Sequence, residues 1–192
     1  MTAATSSSSR PRVLSRLAAA GASLLLLAAC STSSPEDSLQ AELGLDGIDG
    51  REIVEQLDAS TDDRPFAFMA SVREDEVLLG DGTQEVAVAL PEDELYVSIA
   101  PYVDQTHECY YHSLATCQGE LVEQPVSVTI TADDGTVLVD EDATTYANGF
   151  VGFWLPRDVE GTIEVTYADK TGSVPFSTGE GDPTCITTLQ VA

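Results

Sequence analysis

From Phe66 almost to its end, the chain places apolar residues at every second position, in short runs broken by Gly, Asp and Pro. A period of two puts alternate side chains on one face of a strand. Val86, Val88 and Leu90 share one face, Leu95, Val97 and Ile99 another, and Pro91-Glu92-Asp93 between them is a turn. Residues 66–72 and 76–79 read as further strands, the second joined onward by Gly80-Asp81-Gly82. Ahead of them, residues 39–59 have helical spacing: Asp49 and Glu52 form a capping-box-like start, and Ile53, Val54 and Leu57 make one apolar face. That helix is expected to stop within residues 58–63, ahead of Arg64-Pro65.

The second half is patterned as strands throughout. Val126, Val128 and Ile130 alternate, Asp133-Asp134-Gly135 turns the chain, and Val137 with Val139 returns it. Residues 150–155 are wholly apolar and end at Pro156, the pattern of a strand buried on both faces. Residues 162–167 and 173–177 follow, linked by Asp169-Lys170-Thr171-Gly172, and the last strand is expected over 185–191. The prediction is an α+β chain: a small N-terminal α+β unit over 43–104, then an antiparallel β-sandwich or partial barrel over 105–192. No repeat of fixed period and no coiled-coil heptads interrupt that reading.

Composition agrees with a β-rich core. The 192 residues are 43% hydrophobic but only 6% aromatic, with abundant Val, Thr and Gly. Charge narrows the partners: 33 acidic residues oppose 8 basic ones, a net charge of -25. A chain so poor in Lys and Arg cannot neutralise phosphates, so nucleic acid and anionic lipid surfaces are excluded as electrostatic partners. Arg10, Arg12 and Arg16 precede every acid, so the chain beyond residue 29 holds five basic against 33 acidic residues, a net -28.

Those three arginines begin a secretory leader. The apolar run of residues 17–29 is shorter than the roughly 20 residues a membrane span needs. It closes on Leu27-Ala28-Ala29-Cys30, a lipobox resembling that of bacterial lipoproteins. The resemblance implies removal of residues 1–29, lipidation of Cys30 and attachment to the outside of the cell membrane through that lipid. Residues 30–42, opening with Ser31-Thr32-Ser33-Ser34-Pro35, are then expected to be a flexible tether.

Lipidation of Cys30 leaves three of the four cysteines: Cys109, Cys117 and Cys185. An odd count in an oxidising compartment allows one disulfide with a thiol left over, a redox-active pair, or a thiolate metal site. Both histidines of the chain, His107 and His112, stand beside Cys109 and Cys117, so the chemistry is concentrated in that stretch. Cys185, at the start of the last predicted strand, is placed to meet it at the sheet's rim. The set Cys109, His112, Cys117 and Cys185 is rich in soft donors, which select Cu(I) or Zn(II) over Ca(II) or Mg(II). The four would close a zinc tetrahedron, while Cu(I) is satisfied by two or three of them. Copper, zinc and a plain disulfide stand level on spacing alone. His107 is the weaker candidate, as an outer or entry ligand for a metal. Tyr110 and Tyr111 read as cover for the site, Trp154 as core, and the paired acids as solvated turns. Neither G-x-S-x-G, H-E-x-x-H nor a P-loop occurs.

Residues 104–121, which contain Cys109-Tyr110-Tyr111-His112 and Cys117-Gln118-Gly119-Glu120, resemble the signature of the CueP family of extracytoplasmic copper-binding proteins. Residues 149–158, with Gly149-Phe150-Val151-Gly152-Phe153-Trp154, and residues 182–189, with Asp182-Pro183-Thr184-Cys185, agree with it. The similarity runs from about residue 43 to the C-terminus. It implies copper binding in the envelope, copper tolerance, and delivery to an envelope cuproenzyme such as copper/zinc superoxide dismutase. It also implies a two-lobed shape and a homodimer formed through the N-terminal part. The lipid anchor departs from the soluble periplasmic members. The expectation is a binding protein, not an enzyme, in which Cys109, His112 and Cys117 hold Cu(I) and Cys185 completes the site or forms a disulfide. Two other classes use the same cysteines: a thiol-disulfide oxidoreductase or copper reductase, and a lipoprotein merely stapled by zinc or a disulfide.

Overall fold

The computed structural model describes residues 34–192. The residues expected to form the leader and lipobox, Cys30 included, lie outside the described residues. No helix among those described is long and apolar enough to cross a membrane.

Two short helices open the fold. Helix α1 (Pro35–Glu42) starts at Ser34 and helix α2 (Gly50–Asp58) at Asp49, each with a reciprocal capping box that satisfies two backbone N–H groups. The single helix expected over 39–59 is thus divided. Gly44 and Gly47 take φ of 74° and 78° between the two, a left-handed conformation that ends one helix before Asp49 caps the next. The tether expected over 30–42 is also corrected from Pro35 onward: Leu39 is fully buried, and burial of that side chain holds α1 on the body.

Ten strands follow in three sheets, so the fold is mostly β. β1 (Met69–Val72), β2 (Glu76–Gly80) and β3 (Glu85–Ala89) form an antiparallel meander. The first strand is shorter than expected because the Phe66 N–H goes to the Ala115 carbonyl instead of a neighbouring strand. β5 (Pro125–Ala132), β6 (Val137–Thr144), β8 (Glu160–Tyr167) and β9 (Lys170–Ser177) form an antiparallel sheet in the order β6-β5-β8-β9.

The third sheet joins the two halves of the sequence. β4 (Glu94–Ile99) pairs antiparallel with β7 (Val151–Pro156) and parallel with β10 (Cys185–Ile186). A division at residue 104 falls in the loop after β4 and would part that strand from its hydrogen-bonded partners β7 and β10. The last strand, expected over 185–191, is two residues long and parallel to its neighbour, followed by an isolated bridge from Tyr102 to Gln190.

Alternation along β4 explains how one sheet serves two cores. Leu95, Val97 and Ile99 pack with Val126, Val128, Ile130, Ile163 and Val165 across to the four-stranded sheet. Tyr96, on the opposite face, packs with α1, α2 and the meander. β7 behaves likewise: Val151 and Leu155 enter the first of these cores, while Trp154 packs against the second, under the Arg51 guanidinium at 4.3 Å. Both faces of β7 are covered, yet Phe153 and Trp154 stay only partly buried.

Candidate metal centre

The segment between β4 and β5 carries Cys109, His112 and Cys117 and contains no strand, so it must be fixed by contacts to its neighbours. The free edge of β1 supplies them. Val72 N–H donates to the His112 carbonyl at 2.8 Å, Leu114 N–H to the Ala70 carbonyl at 3.0 Å, and Ser71 bridges Ser113. On the other side, the Cys185 N–H donates to the Tyr110 carbonyl at 3.1 Å, and His112 N–H to the Thr184 hydroxyl at 2.9 Å. The same hydroxyl donates to the Val72 carbonyl at 2.9 Å. Side chains 76 positions apart in sequence, Cys109 and Cys185, are thereby brought to a Cα separation of 5.8 Å.

The ligand atoms of Cys109, His112, Cys117 and Cys185 all lie within 4.8 Å of one another. Cys109 and Cys185 are joined as a disulfide, and Cys117 is a free thiol. The Cys117 sulfur is 3.5 Å from that of Cys109, and the His112 Nδ1 is 3.7 Å from the Cys185 sulfur. His112, Cys117 and Cys185 are buried, and Cys109 alone is half-buried, which makes it the outward member of the group. Phe150 and Ala100 form an apolar floor beneath the sulfurs, with the Phe150 ring 4.5 Å from the His112 ring. Such a wall lowers the local dielectric and keeps water from competing for a metal.

The back of His112 meets a carboxylate. Asp58, the last residue of α2, is fully buried and accepts from His112 Nε2 at 2.9 Å and Asn148 Nδ2 at 2.6 Å on one oxygen. Its other oxygen accepts from the Tyr96 hydroxyl at 2.7 Å and the Ser98 hydroxyl at 3.1 Å. Burial alone would raise the Asp58 pKa, but the charge of His112 and the hydrogen bonds from His112, Tyr96 and Asn148 hold it below its ordinary value. Burial likewise works to lower His112, and the Asp58 carboxylate outweighs it, raising the imidazole from 6.5 to about 9. Tyr96 is pushed well above 10 by burial and by Asp58, so it remains a phenol that donates.

Arg64 braces this arrangement. Its guanidinium donates to the carbonyls of Leu57, Asp58, Ser60 and Leu114, tying the end of α2 to the cysteine-bearing segment.

Sequence spacing located all four members of the cluster and missed Asp58, Asn148, Tyr96, Ser98 and Arg64. One signal was present: Asp58 follows Val54 by four residues, which puts an acid on the apolar stripe of α2. His107 is not brought into the cluster. Its ring meets Phe150 edge-on with centroids 6.1 Å apart, and its buried Nε2 has no hydrogen-bond partner. Tyr110 is half exposed, and its hydroxyl donates to the Gly181 carbonyl over the loop that leads to Cys185.

Three sulfurs and one imidazole nitrogen gathered over an apolar floor are a donor set of the kind that suits a soft metal ion. A family model described as "Periplasmic copper-binding protein CueP" matches residues 52–190, which include every residue of this site. The chain belongs to the CueP family. A solved structure described as "Crystal Structure of S.CueP" is 40% identical to it, with a TM-score of 0.81, covering 84% of this chain and all of that one. No curated protein matches the chain. CueP membership places the chain among extracytoplasmic copper-binding proteins, and the Cys/His cluster has the donor chemistry that copper asks for.

Proposed function

We propose that this CueP-family protein is a copper carrier, held at the outer face of the cell membrane through lipidated Cys30. In its reduced state it binds Cu(I) with the thiolates of Cys109, Cys117 and Cys185 and with His112. The observation that carries this reading is the convergence of four buried or half-buried soft ligand atoms within 4.8 Å over an apolar floor. The disulfide state is then the empty, oxidised form. Loading requires two electrons from a dithiol or comparable reductant to open the Cys109–Cys185 bond, and oxidation ejects the metal by removing two of its ligands. Cys109 is the outward member, so a reductant or a recipient cuproenzyme approaches there. Copper/zinc superoxide dismutase is the class of recipient that fits an envelope carrier, and sequestration of Cu(I) contributes to copper tolerance. Zn(II) suits a Cys3His tetrahedron equally well in geometry, so it is the competing ion in any test.

A second reading is favoured by the disulfide itself. Two thiolates that close into the Cys109–Cys185 bond release two electrons, enough to reduce two Cu(II) ions to Cu(I). That would make the protein a copper reductase sustained by an external thiol.

Anaerobic titration of fully reduced protein with Cu(I) against a competing chelator separates the readings. The carrier reading expects one Cu(I) retained per chain, lost in Cys109→Ser and Cys117→Ser and weakened in His112→Ala, with Zn(II) displaced. Affinity unchanged in all three variants would overturn it. Repeated Cu(II) reduction in the presence of a dithiol, with no metal retained, would establish the reductase.

A further inference from the structure

Among the groups around the site, the Asp58 carboxylate is the one whose surroundings exceed what packing asks for. It is a fully buried acid in a chain of net charge -25, set on the apolar stripe of α2, and it accepts hydrogen bonds from four side chains. Those donors come from three separate parts of the fold: Tyr96 and Ser98 from β4, Asn148 from the turn before β7, and His112 from the cysteine-bearing segment. Three of the four bonds do not involve His112, so the carboxylate is held in place independently of the ring it meets. An ionised carboxylate only accepts, which requires the proton to sit on His112 Nε2. The ring then turns its other nitrogen, Nδ1, to the sulfurs, 3.7 Å from Cys185.

We propose that Asp58 is the positioning residue of the copper site: by holding the proton on Nε2 it commits His112 to bind metal through Nδ1. This rests on the copper reading above. Asp58 touches no metal. It acts by removing the ring's choice of nitrogen and its freedom to rotate, so that the imidazole is in place before the ion arrives. It also accounts for the 54-residue reach from the end of α2 to His112, since the helix end is tied to the cysteine-bearing segment by Arg64 and delivers the carboxylate to one spot.

The test is 15N NMR of the histidine ring together with Cu(I) affinity, on the whole folded chain. In Cu(I)-loaded wild type, Nε2 is expected to carry the proton and Nδ1 to show the metal-bound shift. In the metal-free reduced protein at a pH where the ring is neutral, the same Nε2–H form is expected. Asp58→Leu, which cannot accept, is expected to give a mixture of the two ring forms and to weaken Cu(I) binding about 10–100-fold, the usual effect of losing such a partner. Asp58→Asn can still accept on its Oδ1 while its amide faces the Tyr96 and Ser98 hydroxyls, so it should retain the Nε2–H form and lose less affinity. Coordination through Nε2 in the loaded wild type would overturn the proposal without any variant, which covers the case of a leucine variant that does not fold. So would Asp58→Leu with unchanged ring form and affinity. Failure of wild type to bind Cu(I), or binding that leaves the His112 signals unmoved, would instead sink the copper reading, while the metal-free ring form would still report what Asp58 does.

Discussion

At the scale of single residues, the balance between burial and pairing decides the charge state of the site. His112 and Asp58 are both fully buried, which opposes ionisation of each, yet they lie 2.9 Å apart and each favours the charged form of the other. Arg64, bonded to the Asp58 carbonyl, the Tyr96 phenol, which donates to the Asp58 carboxylate, and the Cys117 thiol are charged or titratable neighbours of the pair. The folded pKa of His112, about 9, lies above the unfolded value of 6.5. Its contribution to stability is therefore complete below 6.5 and is lost as pH rises through about 9. Asp58 lies below its ordinary 3.8, so its contribution is complete above that value and is lost as pH falls through the lowered one. Metal-free, disulfide-intact protein should be most stable between these limits, and urea unfolding between pH 6 and 10 should show a decline that His112→Ala reduces. A flat profile for wild type across that range would mean that the pair is not ionised. The cysteines and His112 were legible in the sequence because they are rare residue types crowded together. Asp58 was not, because it is one of 33 acids and only its position on a helix face distinguishes it.

At the scale of elements, the cysteine-bearing segment is seated on the turn before β7 by two glycines whose backbones touch. Gly119 N–H donates to the Asn148 carbonyl at 2.6 Å, and a Cβ on Gly149 would lie 2.6 Å from the Gly119 oxygen. Gly149 also has φ of 78°, where an L side chain is strained. This crossing ties Gly119, two residues after Cys117, to the backbone of Asn148, whose side chain donates to Asp58. Gly149→Ala should therefore cost roughly 2 kcal/mol or more, combining backbone strain with a backbone clash that no rotamer relieves. Gly135→Ala is the control: φ is 89° but no atom lies within 4 Å of the added carbon, so only the strain of about 1 kcal/mol remains. Chemical denaturation of the two variants measures the difference, and equal costs would show that the crossing is not tight. Strands were legible wherever one face meets a core, since alternation is then enforced residue by residue, as in β5 and β8. β10 was overestimated because Leu189 and Val191 are buried without being in a strand, so their apolar character reports packing and not pairing. The division of the first helix depended on two glycines inside an otherwise helical pattern, a weak signal in sequence and a decisive one in backbone geometry.

At the scale of the whole molecule, two cores share one sheet, and the Cys/His cluster proposed to hold copper lies where that sheet, the meander and the cysteine-bearing segment converge. The disulfide cross-links distant parts of the chain at this point, and copper bound by the same residues would do so too, which would make stability and copper loading one equilibrium. The Cys109–Cys185 disulfide closes a loop of sequence separation 76. Loop-closure entropy assigns such a bond about 4 kcal/mol, which reduction removes. In a chain of this size that corresponds to a fall in melting temperature on the order of 10 °C. Cu(I), bound by Cys109, His112, Cys117 and Cys185, would reconnect the same two segments and add the free energy of binding to the folded state alone. Melting the oxidised, reduced and Cu(I)-loaded forms should therefore give a low value for the reduced protein between two higher ones. With Cys117→Ser the oxidised value should persist, because the disulfide does not use that residue, while the rise on adding Cu(I) should be lost. A reduced protein that melts with the oxidised form and ignores Cu(I) would show that neither link reaches the folding equilibrium, and the four-ligand site would then have to be abandoned.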